Sequence, residues 1–289
     1  MDKQKKAYIY ALLTVLCWST SASAFKISLN YLAVPPLLLY ASIASGAVLL
    51  LHLLLSGKIS ILRTFSRQDY LRSALLGLLN PFLYYVVVLS AYSLLPAQQA
   101  QPINFVWPIT LVLLSAPLLK QKIRPRDILA TFICFAGVVV ISTKGNVLSL
   151  HFESPFGVIL ALGSTVIWSL FWIYNVKDTR DEVAALFLNF AFATVYILLA
   201  TLLLGQMHLP GLRGLLGATY IGLFEMGIAF IFWLKALKLS KTTAHLTNLI
   251  YLVPFFSLVL VSLVVGETIH FSTITGLIFI ITGLILQKL

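Results

Sequence analysis

Apolar residues along this chain fall in long unbroken runs. Ten stretches, 7–30, 36–55, 72–91, 97–119, 128–143, 156–174, 183–204, 214–236, 242–265 and 273–287, are almost continuously apolar. A helix needs roughly 20 apolar residues to cross the hydrocarbon core of a bilayer, and these stretches reach or approach that length. Strands of a membrane barrel would alternate polar and apolar residues instead. The longest polar interval is residues 58–71, so no soluble domain is left over. The pattern predicts an all-α membrane protein of ten transmembrane helices joined by short loops.

The stretches also repeat. Trp18-Ser19 in the first recurs as Trp168-Ser169 in the sixth, 150 residues on. Leu89 and Ala91 of the third match Leu234 and Ala236 of the eighth at an offset of 145. Pro108 of the fourth matches Pro254 of the ninth at 146, and the same offset carries Ala130 and Gly137 of the fifth to Gly276 and Gly283 of the tenth. One order and nearly one spacing hold across both halves, as in an internal repeat. The predicted repeats are residues 1–145 and 151–289, together one membrane domain. Each holds five helices, an odd number, so the second lies upside down relative to the first. Inverted repeats are a recurrent design of secondary transporters, with the substrate site near the midplane between them. Two copies of one shape in opposite orientation can exchange conformations and open that site to each side in turn.

Composition supports the lipid reading. Of 289 residues, 60% are hydrophobic and 10% charged, with a mean hydropathy of +0.99; too little polar surface remains to cover a soluble fold. The net charge of +11 would suggest nucleic acid in a soluble protein, but here topology accounts for it and no nucleic-acid partner is expected. Cytoplasmic loops collect Lys and Arg. With the ten-helix assignment, one side holds all of the 20 basic residues except Lys26, Lys144 and Arg213, which predicts both termini in the cytoplasm. Lys3, Lys5 and Lys6, an apolar run and Ala22-Ser23-Ala24 also resemble a cleavable secretory signal; the counterpart of the first helix in the second half argues against cleavage. Cys17 and Cys134 both fall inside predicted helices and read as packing residues rather than a disulfide. No Cys/His spacing suggests a metal, and no cofactor is expected.

The five-plus-five layout, the Trp18-Ser19 and Trp168-Ser169 pair and the Gly266-Glu267 step ending the ninth stretch resemble the ten-helix, EamA-type branch of the drug/metabolite transporter superfamily, over essentially the whole length. Asn104-Phe105-Val106-Trp107-Pro108 is similar to the aromatic amino acid exporters within that branch. The resemblance implies proton- or exchange-driven export of amino acids or similar metabolites across a bacterial inner (plasma) membrane.

An intramembrane polar side chain is costly and usually faces protein or a water-filled cavity. Thr14, Trp18, Ser21 and Phe25 share one face of the first helix, and Ser164, Trp168, Phe171 and Asn175 share a face of the sixth at the repeat offset of 150. This stripe predicts two opposing cavity walls; ordinary helix packing, which also uses Ser, Thr and aromatics, is the alternative. Gln101 and Asn104 of the fourth helix, with Trp107 and Tyr84, complete the candidate substrate-binding set. Their amides would hydrogen-bond a zwitterion while the rings contact its apolar part. Gln98 and Gln99 read as markers of an interfacial helix end, and Glu267 likewise. Pro108 and Pro254 are candidate gating hinges or static kinks, because proline removes a backbone hydrogen bond.

Glu225 is the only acidic residue near the middle of a helix, and its counterpart at offset 145 is Asn80. A carboxylate at the bilayer centre costs roughly 2.5–3.5 kcal/mol on insertion scales, so it must be protonated, hydrated or paired. It would suit a proton-coupled carrier, or be a protonated acid bonded to a neighbouring helix. His245 could gate or sense pH, or be structural. The small faces Ala130/Gly137 and Gly276/Gly283 would join the two halves or a second protomer; an oligomer is allowed but not required.

Rival classes lack their signatures. A membrane enzyme would need a nucleophile with a base, a metal cluster or paired carboxylates, and no HExxH or GxSxG occurs. A channel would need a filter or charge ring, and direct ATP use a nucleotide motif. Within transporters, a multidrug or other metabolite efflux carrier is the alternative. An aromatic cavity with amides and few charges suits a neutral amphipathic solute.

Overall fold

The computed structural model describes residues 3–119, 125–148, 154–239, 249–250 and 252–288, and every regular element among them is a helix. In chain order these are α1 (Lys3–Leu29), α2 (Val34–Leu55), α3 (Arg67–Leu94), α4 (Ala97–Asn104), α5 (Trp107–Leu119), α6 (Pro125–Ser142), α7 (Pro155–Val176), α8 (Glu182–Leu203), α9 (Leu212–Ala236), α10 (Leu252–Val265) and α11 (Phe271–Lys288). Six of them, α1, α2, α3, α7, α8 and α9, are long and apolar enough to cross a bilayer. Shorter apolar stretches run through α6, α10 and α11. Leu16, Leu51, Phe132, Phe135, Ile159, Leu199 and Leu263 are exposed on the outside of the bundle. A soluble monomer rarely exposes so much contiguous apolar surface; lipid is the solvent this surface fits.

The helix ends are written locally. Ser66 and Asp69 form a reciprocal capping box at the start of α3, Ser154 accepts from Gly157 N–H ahead of Pro155 in α7, and Asp181 accepts from Ala184 N–H in α8. Gly57 after α2 and Gly205 after α8 take positive φ of 67° and 64°, the left-handed turn that glycine allows at a helix C-terminus.

Two expected helices are interrupted. The single helix expected over residues 97–119 is two, because Phe105 and Val106 form a turn between α4 and α5. Pro108 has no N–H to offer the Asn104 carbonyl, so the ladder cannot run straight through. Pro108 therefore sits in the first turn of α5, where a missing N–H costs nothing. The third stretch is longer than expected, and Asn80 inside it is extended at φ −151°, ψ 124°. Its neighbour Pro81 disfavours the helical region for the residue before it. Pro254 lies near the start of α10 and is buried. His245 lies outside the described residues.

Packing pairs exchange when the halves are exchanged. α1 packs on α9 as α7 packs on α3; α1 on α10 as α7 on α5; α2 on α9 as α8 on α3. α2 with α8, and α6 with α11, cross between the halves directly. Glycines set the closest approaches. A Cβ on Gly77 would strike the carbonyl of Asn189 in α8, and one on Gly222, 145 residues later, would strike that of Ala41 in α2. The α6–α11 seam is the small-residue contact expected between the halves. A Cβ on Gly276 would lie 2.6 Å from Gly137 O, and one on Gly283 would lie 2.5 Å from Cys134 Sγ. Cys134 is buried there and its thiol donates to Ile280 O at 3.1 Å. Both cysteines are free of disulfide bonds.

Candidate functional site

Between the halves lies a cavity of about 40 Å³ lined by Trp18, Ser21, Phe25, Tyr84, Val88, Tyr92, Gln101, Asn104, Phe105, Trp107, Trp168 and Glu225. At roughly 10–15 Å³ of such volume per water, it holds about three waters and no amino acid.

The walls are aromatic. Trp168 packs its ring against Trp18, Tyr84, Trp107, Phe171, Trp172 and Phe230, with centroids 4.7 to 6.3 Å apart. Trp18 adds Phe230 and Trp233. Asn104 at the end of α4 is fixed from two sides: its Oδ1 accepts from Tyr84 Oη at 3.4 Å and its Nδ2 donates to Ser164 Oγ at 2.8 Å. Ser169 Oγ donates to Trp107 O at 3.1 Å, serving a carbonyl beside the α4–α5 break. The Trp168 indole N–H is buried and has no partner among the described residues.

Glu225 enters from a π-helical stretch, Ile221–Ile228, within α9. Such bulges recur at functional sites. Ser21 Oγ donates to one carboxylate oxygen and Tyr85 Oη, at 3.3 Å, to the other. Trp18 Nε1–H donates to the Glu225 backbone carbonyl at 3.4 Å. Among the described residues, the side chains lining the cavity include no Lys, Arg or His.

Both ends of the bundle are tied across the halves. At one end the Glu267 carboxylate accepts from the N–H groups of Ala97 and Gln98, at 2.9 and 3.2 Å, and so caps α4. Gln98 uses its amide on the chain between α10 and α11 and on the first turn of α11: Nε2 donates to Thr268 O, while Oε1 accepts from His270 N–H and Thr273 Oγ. Lys26 Nζ donates to Tyr92 O and Leu95 O, carbonyls at the end of α3. At the other end Arg180, between α7 and α8, forms a fork with Asp178 at 2.9 and 2.6 Å and reaches α3 through Asp69 O and Ser73 Oγ. Lys58 pairs with Asp181 at 2.8 Å. Burial works against the Asp178 charge, but the Arg180 hydrogen bonds and the charges of Arg180 and Arg72 outweigh it and hold that carboxyl below the usual range.

Of the residues expected from sequence, Trp18, Ser21, Tyr84, Gln101, Asn104, Trp107, Trp168 and Glu225 all line this one cavity. Phe171 packs behind Trp168 and Trp172. Asn175 turns its amide back to Phe171 O in its own helix. Gln98 and Gln99 are buried rather than interfacial, and Glu267 is a bridging cap rather than a surface residue. Tyr85, Tyr92 and Val88 of α3 were not anticipated; aromatic and aliphatic residues in an apolar helix carry no signal of which face is internal.

The EamA-like transporter family profile matches residues 5–143 and again 155–287. The chain belongs to the EamA-like transporter family. It is 27% identical to an uncharacterized transporter of Clostridium kluyveri, over 98% of this chain and 93% of that protein. It is 28% identical to the uncharacterized transporter YvbV of Bacillus subtilis, over 99% and 92%. The aromatic amino acid exporter YddG of Ancylobacter novellus is 27% identical over 80% of this chain and 79% of its own. A solved crystal structure with 24% identity superposes with a TM-score of 0.67, covering 98% of this chain and 96% of that one, a likeness of fold.

Proposed function

We propose that this transporter exports small neutral amphipathic metabolites, amino acids of the aromatic, Met and Thr type foremost, by alternating access through the cavity between two inverted five-helix repeats. In this reading ten helices cross the inner membrane of a bacterium, both termini are cytoplasmic, and the Lys26–Glu267 end faces outward. One observation carries it: an aromatic cavity too small for an amino acid lies between two halves whose packing pairs exchange, with ties across the halves at both ends. Such a cavity must open to work, and it can open to one side only if the tie at that end breaks while the other holds. The amides of Gln101 and Asn104 and the unspent indole N–H of Trp168 offer hydrogen bonds to a substrate carboxylate. The rings of Trp18, Tyr84, Trp107 and Trp168 offer its apolar body a surface. Pro108, beside the α4–α5 break, and Pro254 in α10 are the places where the helices would bend.

The test is counterflow. Purified protein in liposomes preloaded with unlabelled solute is given labelled phenylalanine, methionine or threonine, with a quaternary ammonium drug in parallel and Trp168→Ala as the site control. Accumulation of amino acids but not of the drug, lost in the variant, supports the reading. Movement of the drug alone replaces it with multidrug efflux. A folded protein that moves neither leaves the substrate assignment without support.

A further inference from the structure

Glu225 is a buried carboxylate whose charge no described residue of the cavity wall balances. Its neighbours can be followed element by element. From α1 come Ser21, which donates to it, Trp18, which binds its backbone carbonyl, and the half-buried Cys17 one turn below. From α3 come Tyr85, which donates to it, with Tyr84 against the Tyr85 ring and Tyr92 on the same wall. α2, which packs on the same stretch of α9, meets Gly222 and Gly227 with Ala41, Ala44 and Val48. Its titratable groups are engaged elsewhere: Tyr40 donates to His208 O, and the charges felt by His52 are those of Lys235, Asp181 and Lys58. From α7 comes the Trp168 ring. Among the described residues, none of the side chains that meet Glu225 from these elements is a Lys, Arg or His, so a single positive charge, brought from outside, is what the site lacks.

Ser21 is wired for both charge states. Its hydroxyl lies within reach of the Glu225 carboxylate and also of the Cys17 carbonyl, at 3.5 Å. A hydroxyl has one proton to give and can accept two. With Glu225 ionised, Ser21 donates to it. With Glu225 protonated, the carboxylic acid donates to Ser21, whose own proton turns to the Cys17 carbonyl. The carboxyl group keeps hydrogen-bond partners in Ser21 and Tyr85 in either state, which lowers the cost of the change.

We propose, building on the transporter reading, that Glu225 is the coupling site of the carrier, holding in turn a proton or the ammonium group of the substrate. The substrate class this selects is the aliphatic or aromatic primary amine, zwitterionic or not. Its ammonium pairs with the carboxylate and lies among the faces of Trp18, Trp168 and Tyr84, which attract a cation. The exchange balances: the ammonium enters as the carboxylic acid O–H gives its proton to water, and the site stays neutral throughout. Because proton and amine exclude one another, one can be drawn across the membrane only by the return of the other.

The experiment uses the full chain in detergent at low buffer capacity, with three probes: phenethylamine, phenylalanine and, lacking the amine, 3-phenylpropionate. Trp18, Trp107 and Trp168 in the cavity wall make intrinsic fluorescence the binding signal, and a pH indicator reads proton release. Phenethylamine and phenylalanine are expected to quench fluorescence and release a proton as they bind, and 3-phenylpropionate to do neither. Amine affinity is expected to fall about tenfold per pH unit on the acid side, as for competition with one proton. Glu225→Gln abolishes the release and the pH dependence, Glu225→Asp retains both, and Ser21→Ala shifts the pH at which affinity falls. Release that survives in Glu225→Gln, equal amine affinity at pH 5 and pH 8, or no amine-dependent quenching at all overturns the inference. Counterflow separates the two ideas. Wild-type counterflow matched by Glu225→Gln with the same pH profile sinks the coupling role alone, whereas a wild type that moves nothing sinks the transporter reading.

Discussion

Removing the Glu267 carboxylate should unlock one end of the cavity. In Glu267→Ala the N–H groups of Ala97 and Gln98 lose acceptors at 2.9 and 3.2 Å, and α4 loses the negative charge at its N-terminus. Stranding a buried donor costs about 1–3 kcal/mol, and replacing a capping side chain by alanine costs about 0.5–2 kcal/mol. Glu267 is half-buried, so water recovers part of this, and about 1–2 kcal/mol is the net loss expected. The Gln98 bonds to Thr268, His270 and Thr273 remain, which keeps the figure at that level rather than their sum. Because the cap bridges the halves, the loss falls on the closed state and not on the open one. That is a shift of about 5- to 30-fold toward opening.

The assay is thiol accessibility. Val88, in the cavity wall on α3, is replaced by Cys in a background without Cys17 and Cys134, the protein's two free cysteines, and an impermeant maleimide is applied to whole cells, the Glu267 end facing outward in the proposed orientation. Labelling should be about 5- to 30-fold faster with Glu267→Ala than without it, following the shift worked above. Arg180→Gln, which loosens the opposite end, should slow it, since opening one end requires the other to hold. A Glu267→Ala rate within twofold of its parent, in protein with unchanged helicity and elution, would refute the idea that this cap holds the cavity shut.

Three further outcomes follow from the packing and charge. Trp168→Ala removes a ring with six aromatic neighbours and should cost about 3–5 kcal/mol, whereas Trp168→Phe should hold most of the thermal midpoint yet weaken solute counterflow; equal losses of stability in both variants would contradict this. Gly276→Ala puts a Cβ 2.5 Å from Ile141 Cγ1 and 2.6 Å from Gly137 O, an overpacking cost of about 1–3 kcal/mol, so the denaturation midpoint should drop while counterflow per folded molecule is kept. The Asp178 carboxyl is held below the usual range, so its bridge contributes fully above the unfolded value and is lost as pH falls through the folded one. The thermal midpoint should therefore decline below about pH 4, and Asp178→Asn should flatten that limb.

Apolar runs made the helices legible because a lipid-facing helix must be apolar along its whole length, whatever its partners. Trp18, Trp168 and Asn104 were legible because Trp and Asn are rare and costly enough in hydrocarbon that helical spacing and repeat offset isolate them. The break at Phe105 and Val106 was half legible: Pro108 marks a fault in the ladder at the Asn104 carbonyl, but proline alone does not say whether a helix bends or parts. Glu267 and Gln98 were misread because both sit at segment ends, where an exposed polar residue and a bridging one look alike in sequence. The ties through Arg180 and Asp178 were read only as a charge tally, since loops carry no period to say which face they touch.

The two halves have kept their packing and parted in their chemistry. Gly77 and Gly222 meet backbone carbonyls of the opposing half in the same way, and the α6–α11 glycines interlock. At the site the related positions differ: Ser21 stands where the second half has Phe171, Glu225 where the first half has Asn80, and the Trp18 indole is bonded while that of Trp168 is not. In the proposed alternating-access cycle the halves trade shapes, and matching seams let each half pack in both arrangements. The site has the opposite requirement. A second carboxylate in the place of the buried Asn80 would be a second charge in a medium that solvates it poorly, and it would have to be protonated or paired. With a single carboxylate there is one place for a positive charge, which is what the proposed alternation of proton and substrate amine requires.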